Sequence, residues 1–444
     1  MTEETNVTLA PVTGKARIDV LDMLRGIAIL GIFFMNIPFM GAELSKVFLA
    51  PQTIGWTPAD SASWMTVQVL LEGTQRGLLE LLFGAGMMVL TRNAMTPDGP
   101  VAVADLYFRR NLWLLAFGLI DIFVLLWAGD ILHIYALAAF FLFPFRKLGA
   151  KWLLAIGLCF ALFSAAQGGI KYAERADLMN RAETVMTKQA GGAKLSKDET
   201  KTLADWQKAV DNRAGRNDEF KEIHEQETKG HAGGFVAYAA WNIGSFLFFV
   251  VESLPINIGE AFCTMLIGIA LWKWQIIQGG RSGRFYLILL LACYAFALPL
   301  RYAAGLEQQV MVPAPRTMWI TLEIARVATA IGHVALVNWA VKSGLGRAIF
   351  TPFKAAGRTA FSLYFMQQII GIYILFAPWG PNLWGKLSWT GLYGIVVAVI
   401  VLQLVVANLW VKAFAMGPLE WAWRSLSYVK RQPFLKRRAE PAAD

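Results

Sequence analysis

Residues 388–410 read SWTGLYGIVVAVIVLQLVVANLW, 23 residues without one Asp, Glu, Lys or Arg. At about 1.5 Å per helical residue that run is roughly 34 Å long, enough to cross the ~30 Å hydrocarbon core of a bilayer. In hydrocarbon every backbone N–H and C=O must be satisfied within the segment, so the run is read as a spanning helix. Working outward from it, ten more apolar segments appear at about 23–41, 66–90, 111–128, 131–146, 152–168, 235–253, 257–275, 284–304, 317–341 and 359–377. The whole chain of 444 residues is 56% hydrophobic and 16% charged, with mean hydropathy +0.47. Soluble domains carry about 25% charged residues, so a soluble enzyme, a disordered scaffold and a fibrous protein are excluded. An outer-membrane barrel would alternate polar and apolar residues in segments of about 10. The fold class expected is all-α, a polytopic integral membrane helical bundle of about ten spanning helices.

Charge placement organises the chain. Residues 1–22 form a polar N-terminus without an apolar core typical of a cleaved signal, and 23–168 form a first five-helix half. Residues 169–234 read as a polar external loop, with 12 basic and 12 acidic residues from 170 onward and an amphipathic helix from Lys201 to Lys229. Residues 235–410 form the second half and 411–444 a basic tail. The positive-inside rule places Lys15, Arg17, Arg92, Arg109, Arg110, Arg146, Lys147 and Lys151 in the cytoplasm. Counted back from the tail, which includes Arg424, Lys430, Arg431, Lys436, Arg437 and Arg438, the loops around Lys273 and Arg347 are cytoplasmic too. Inner loops then hold 22 basic residues against four in short outer loops. The two counts meet only if one of the eleven segments does not cross. Segment 235–253, with Asn242, Glu252 and a following Pro255, is expected to lie along the outer interface or re-enter. Both termini are then cytoplasmic.

Ionisable side chains inside such segments are costly and tend to face cavities or one another. Asp19, Asp22 and Arg25 are three apart on one face at the start of the first helix, either as an interfacial cap or as the edge of a phosphate-binding site. Asn36, about three turns deeper, precedes Pro38, which suggests a helix opening into a polar cavity. Glu72 and Arg76 are four apart and read as an intrahelical ion pair, with Glu80 continuing that face. Asp130, His133 and Tyr135 share a tight turn that could hold a general base and its orienting carboxylate, although a structural histidine is the commoner outcome. Glu323 and Arg326 read as a pair, with His333 beyond them. Arg358 leads into a hydroxyl- and amide-rich span containing Ser362, Tyr364 and Gln368. Cys159, Cys263 and Cys293 lie in apolar runs and suggest neither disulfides nor a metal cluster. No phosphate-binding loop, zinc-protease motif or nucleophile elbow is present in the sequence.

Leu21-Asp22-x-x-Arg25-Gly26 with Asn36-Ile37, Leu82-Phe83-Gly84-Ala85-Gly86, Gly129-Asp130-Ile131-Leu132, Met265-Leu266-Ile267-Gly268, Gly357-Arg358-Thr359-Ala360 and Gly417-Pro418-Leu419-Glu420-Trp421-Ala422-Trp423-Arg424 occur in this order. Together they resemble the YeiB-type family of bacterial inner-membrane proteins, over about residues 15 to 430. That family is similar, more distantly, to transmembrane acyltransferases such as heparan-alpha-glucosaminide N-acetyltransferase. The resemblance implies transfer of an acyl group from cytosolic acetyl-CoA, or another acyl-CoA, to an extracytoplasmic hydroxyl or amine. It puts Asn36 at an active-site asparagine, whereas the outer-loop histidine of those enzymes has no counterpart between Asn36 and Ser63. His133, oriented by Asp130, is therefore taken as the base on position alone. Arg25, Arg109, Arg110 and Arg358 are expected to hold the donor's phosphates, with Asp22, Tyr135 and Ser362 completing the donor site. No metal is expected. The partners expected are the lipid bilayer, a small-molecule or envelope-glycan acceptor and, as one alternative, a second copy in a homodimer; nucleic acid is not among them. A transporter or exporter, and a non-catalytic membrane partner, are the rival classes.

Overall fold

The computed structural model describes residues 18–91 and 101–436, so Lys15, Arg17, Arg92, Arg437 and Arg438 lie outside the described residues. Among those described the chain is helical, with one isolated bridge, between Phe414 and Leu435, in place of any strand. The helices are α1 Asp19–Gly41, α2 Pro58–Leu70, α3 Thr74–Thr91, α4 Val101–Phe123, α5 Leu132–Leu142, α6 Ala150–Ala190, α7 Lys197–Arg213 and α8 Asp218–Ala232. They continue as α9 Phe235–Lys273, α10 Gly283–Gln309, α11 Met318–Lys342, α12 Arg347–Arg358, α13 Ala360–Leu375, α14 Trp389–Ala413 and α15 Pro418–Tyr428. Six of them (α1, α6, α9, α10, α11 and α14) are long and apolar enough to cross a membrane by themselves. The protein is an all-α membrane bundle.

Burial sorts the bundle into centre and periphery. In α1, 72% of the apolar window is buried by other helices; in α6, α10 and α14 it is 22%, which leaves their apolar faces for lipid. Close packing at the centre rests on glycine, as expected where no hydrophobic drive separates helix from lipid. A Cβ at Gly357 of α12 would stand 1.8 Å from the Asp22 carbonyl oxygen, and one at Gly26 of α1 would stand 2.1 Å from that of Phe353. The Gly84 and Gly268 contacts between α3 and α9 are similar, at 2.0 and 2.1 Å from opposing carbonyls. Gly86, quoted with Gly84 in the sequence, meets nothing within 4 Å.

The structure departs from the sequence reading at four places. Segment 235–253 is neither a separate interfacial helix nor a re-entrant one: it runs on through Pro255 into Lys273 as one 39-residue helix, α9, with a π turn at Phe246–Val250. Helix α6 does not stop near residue 168 but continues to Ala190, because Ala, Glu, Arg, Met and Lys carry it on until Gly191-Gly192. At 41 residues and about 60 Å it outreaches a bilayer of about 40–45 Å. The amphipathic stretch is two helices, α7 and α8, because Gly215 takes φ +65° between them. Glu72 and Arg76 are not paired along one helix: Gly73, at φ +66°, breaks the chain between α2 and α3.

Arg76 turns instead to Glu260, a close contact, and to Glu80 at 3.7 Å. Arg326 binds Glu323 at 2.7 Å as expected, and also Glu80 and Glu260 at 3.0 Å each. This buried network locks α3, α9 and α11 together. His333 is held by Tyr294 Oη at 2.8 Å and the Leu70 carbonyl at 3.0 Å, a structural role.

Candidate functional site

Two cavities enter the bundle from opposite ends. The first, of about 240 Å³, opens at the end where α1, α12 and α15 meet and arginines gather. Its wall includes Arg25, Arg110, Tyr135, Arg358, Trp423 and Arg424. Asp22 stands behind Arg25 and binds its guanidinium at 3.0 Å. Arg110 lies over the Trp423 ring at 4.3 Å, while Trp423 Nε1 donates to the Arg110 carbonyl at 2.9 Å, so α15 is pinned to α4 at the cavity mouth. Arg358 donates to the Ala415 carbonyl at 2.9 Å.

Three of the residues expected at a donor site, Asp22, Arg109 and Ser362, are not on the wall of this cavity. Arg109 pairs closely with Asp105 and is absent from the wall, since neighbours on a helix point about 100° apart and Arg110 takes the inward direction. Ser362 donates to Glu420 at 2.6 Å, and Glu420 also accepts from the Phe361 and Ser362 amides at 2.6 and 3.3 Å. That carboxylate caps the start of α13, so Ser362 serves packing. Asp22 is paired with Arg25. The reading from sequence passed over Asn111, whose Nδ2 donates to the Tyr107 carbonyl at 3.0 Å on the cavity wall, and over Trp423.

The second cavity, of about 470 Å³, lies at the end covered by α8. Asn36, Glu72, Arg76, Glu227, His231 and Trp241 are among its lining residues. The Asn36 Nδ2 is buried without a hydrogen-bond partner. Glu227 closes the roof: both its oxygens accept from the Leu44 amide, at 2.8 and 2.9 Å. Burial raises its carboxyl from 4.5 to about 8, against the pull of that bond, and Glu43 nearby adds to the rise. His231 stacks on Trp384 at 4.0 Å and 7°, and burial lowers its imidazole to about 4.

The two cavities share Ile131, and Tyr135, on the wall of the first, donates to the carbonyl of Arg76, on the wall of the second, at 3.0 Å. One layer of side chains therefore separates them. His133 and Asp130 do come together, with Nδ1 2.8 Å from Oδ2, and Tyr364 reaches the other Asp130 oxygen at 3.4 Å. The imidazole, however, lines neither cavity: it packs edge-on against Phe246 of α9, with Nε2 buried and unpartnered.

Helices long and apolar enough to cross a bilayer, with a basic cavity at one end of the bundle and a polar cavity at the other, define a polytopic membrane protein. The chain belongs to the family described as "Protein of unknown function (DUF418)", whose model matches residues 271–430. It is 30% identical to the "Uncharacterized protein YxaH" of Bacillus subtilis (strain 168), over 97% of this chain and 99% of that one. Similarity to the "Uncharacterized protein YeiB" of Escherichia coli (strain K12) is 25% over 94% and 98% of the two chains, in line with the YeiB-type resemblance of the motifs. A "39.9 kDa protein in amylase 3'region" of Bacillus acidopullulyticus is 23% identical over 96% and 99%. No solved structure matches the chain.

Proposed function

We propose that this protein is a transmembrane acyltransferase, moving an acyl group from cytosolic acyl-CoA to a hydroxyl or amine on the extracytoplasmic side. The observation that carries the reading is the meeting of the arginine-rimmed cavity and the polar cavity at Ile131, one side-chain layer apart. Some 240 Å³ is less than the roughly 300–1,000 Å³ of an ordinary ligand pocket, so it suits a slender acyl-pantetheine arm rather than a whole coenzyme. The nucleotide phosphates then stay at the mouth, on Arg25, Arg110, Arg358 and Arg424.

The thioester carbon reaches the layer at Ile131 and Tyr135. An acceptor hydroxyl or amine in the second cavity attacks it; the new C–O or C–N bond forms as the C–S bond breaks. The acceptor's proton passes to a base, and coenzyme A leaves as the thiolate, which takes up a proton. Asn36 supplies an N–H donor to the developing oxyanion from the wall it already lines. Glu72, a carboxylate on the same wall, is the base in preference to His133, which faces neither cavity.

The test is equilibrium binding of acetyl-CoA to the purified protein in nanodiscs. Arg25→Ala and Arg358→Ala are each expected to weaken binding about tenfold, the worth of roughly 1–2 kcal/mol from one solvated phosphate contact. Unchanged affinity in both folded variants would remove them from the donor site. A transporter would use the same two cavities with Ile131 as its barrier, and would show no acyl-CoA binding.

A further inference from the structure

A groove of about 580 Å³ runs along the outside of the bundle between α8 and the first turns of α9. Trp241, Ser245 and Phe249 line both this groove and the polar cavity behind it. These three side chains of α9 stand between groove and cavity, and Phe249 falls within the π turn at Phe246–Val250, a local widening of the kind that recurs at functional sites. The groove has two chemically different sides. From α8 come Glu219, Glu222, Gln226 and Lys229; from α9 come Ala237, Ala240 and Phe248. Phe248 is 57% exposed and continues into the exposed apolar residues Leu247 and Val251 on α9 and Phe123 and Val124 at the end of α4, with Phe246 packed on Phe123 at 5.8 Å. An exposed apolar belt of this kind suits contact with a bilayer leaflet.

We propose that the groove is a lateral portal through which an amphiphilic acceptor enters from the leaflet at this end, its hydrocarbon tail along Phe248 and Phe249 and its polar head in the cavity with Asn36. A water-soluble acceptor needs no apolar lip and no opening toward lipid. Charge narrows the class further. Glu219 and Glu222 flank the groove, and Glu72 lines the cavity; Lys229 sits beside Glu225 at 3.8 Å and Arg76 is bound by Glu260 and Glu80. Such a path disfavours an anionic head and fits a neutral or amine-bearing one, such as that of a glycolipid. The fate of the head group rests on the transferase reading above, whereas the portal itself does not.

The experiment uses the full chain in phosphatidylcholine nanodiscs and a dodecyl glucosaminide with a diazirine in its alkyl tail. After irradiation, label is expected on the peptide holding Trp241, Phe248 and Phe249. Excess dodecyl glucosaminide should displace it, and free glucosamine should not. Gly244 lines the groove, and a Cβ there would meet nothing within 4 Å, so Gly244→Trp starts unobstructed, plugs the portal and should abolish this labelling. Gly169→Trp, equally unobstructed on α6, is the control and should leave it intact. Label spread evenly over lipid-facing helices, indifference to Gly244→Trp, or equal competition by glucosamine would overturn the portal; stronger competition by dodecyl phosphate would overturn the neutral or amine head. Labelling that behaves as expected while no acceptor is ever acylated would leave the portal standing and remove the transferase.

Discussion

The Asn36 Nδ2 lies on the wall of the larger cavity with no hydrogen-bond partner among the described residues. A donor held vacant is what a developing oxyanion requires, so Asn36→Ala should lower turnover about 10²–10³-fold with acetyl-CoA affinity unchanged. Glu72→Gln, which keeps the shape and removes the base, should cost about 10²–10⁴-fold, whereas folded His133→Ala should retain most activity. Steady-state kinetics beside a binding isotherm check all three; full turnover in Asn36→Ala would place that amide outside the chemistry. Much of this site is legible in the sequence for one reason: a charged or amide side chain in an apolar run stands out. Arg25, Arg110, Arg358 and Asn36 are of that kind, and each lines a cavity. Direction around a helix is not legible over one or two residues. His133 and Tyr135 lie two apart in α5, and only tertiary packing decides that the tyrosine faces the cavity while the histidine faces Phe246. Trp423 and Asn111 carry no signal, since tryptophan is common at membrane edges and one asparagine in α4 reads as helix packing.

Helix α8 roofs the larger cavity through one carboxyl group. Glu227 has Glu43 and His231 as ionisable neighbours, accepts from the Leu44 amide, and is raised by burial from 4.5 to about 8; His224 of the same helix meets Glu43 at 3.2 Å. The sign follows from proton counting. Between pH 4.5 and 8 the docked helix keeps a proton that the undocked one releases, so docking is strongest below 4.5 and weakens as pH rises toward 8, by up to about 1.4 kcal/mol per unit. Hydrogen-exchange protection of the α8 amides, corrected for the intrinsic rate, should therefore fall between pH 5 and 9, and Glu227→Gln should flatten the profile. Protection that rises with pH would contradict the raised carboxyl. Among the elements, spanning runs such as 388–410 were plain because hydropathy is a sum over many residues. Their ends were not: α6 runs on as a polar helix to Ala190, and Gly73 and Gly215, at positive φ, break stretches whose periodicity alone is continuous.

At the scale of the whole molecule, joining 235–253 to 257–273 in α9 removes one of the eleven apolar units counted in the sequence. With the 22-to-four bias of basic residues, the arrangement to test is ten crossings, both termini in the cytoplasm and α7 and α8 outside. A reporter fused after residue 200 should read periplasmic and one after Lys430 cytoplasmic; a periplasmic tail would overturn that arrangement. The proposed transferase reading depends on the same sidedness, because a donor at the arginine rim and an acceptor under α8 would meet only across the layer at Ile131. The decisive measurement is transfer across a sealed membrane. Proteoliposomes with uniformly oriented protein receive radiolabelled acetyl-CoA only at the arginine-rimmed face, with a glycolipid acceptor confined to the opposite leaflet. The expected result is labelled acceptor in that opposite leaflet and free coenzyme A on the donor side, both reduced by Asn36→Ala. Intact, folded protein that neither binds nor cleaves acetyl-CoA, or any other acyl-CoA offered in its place, would contradict acyl transfer and leave the two cavities as a transport path.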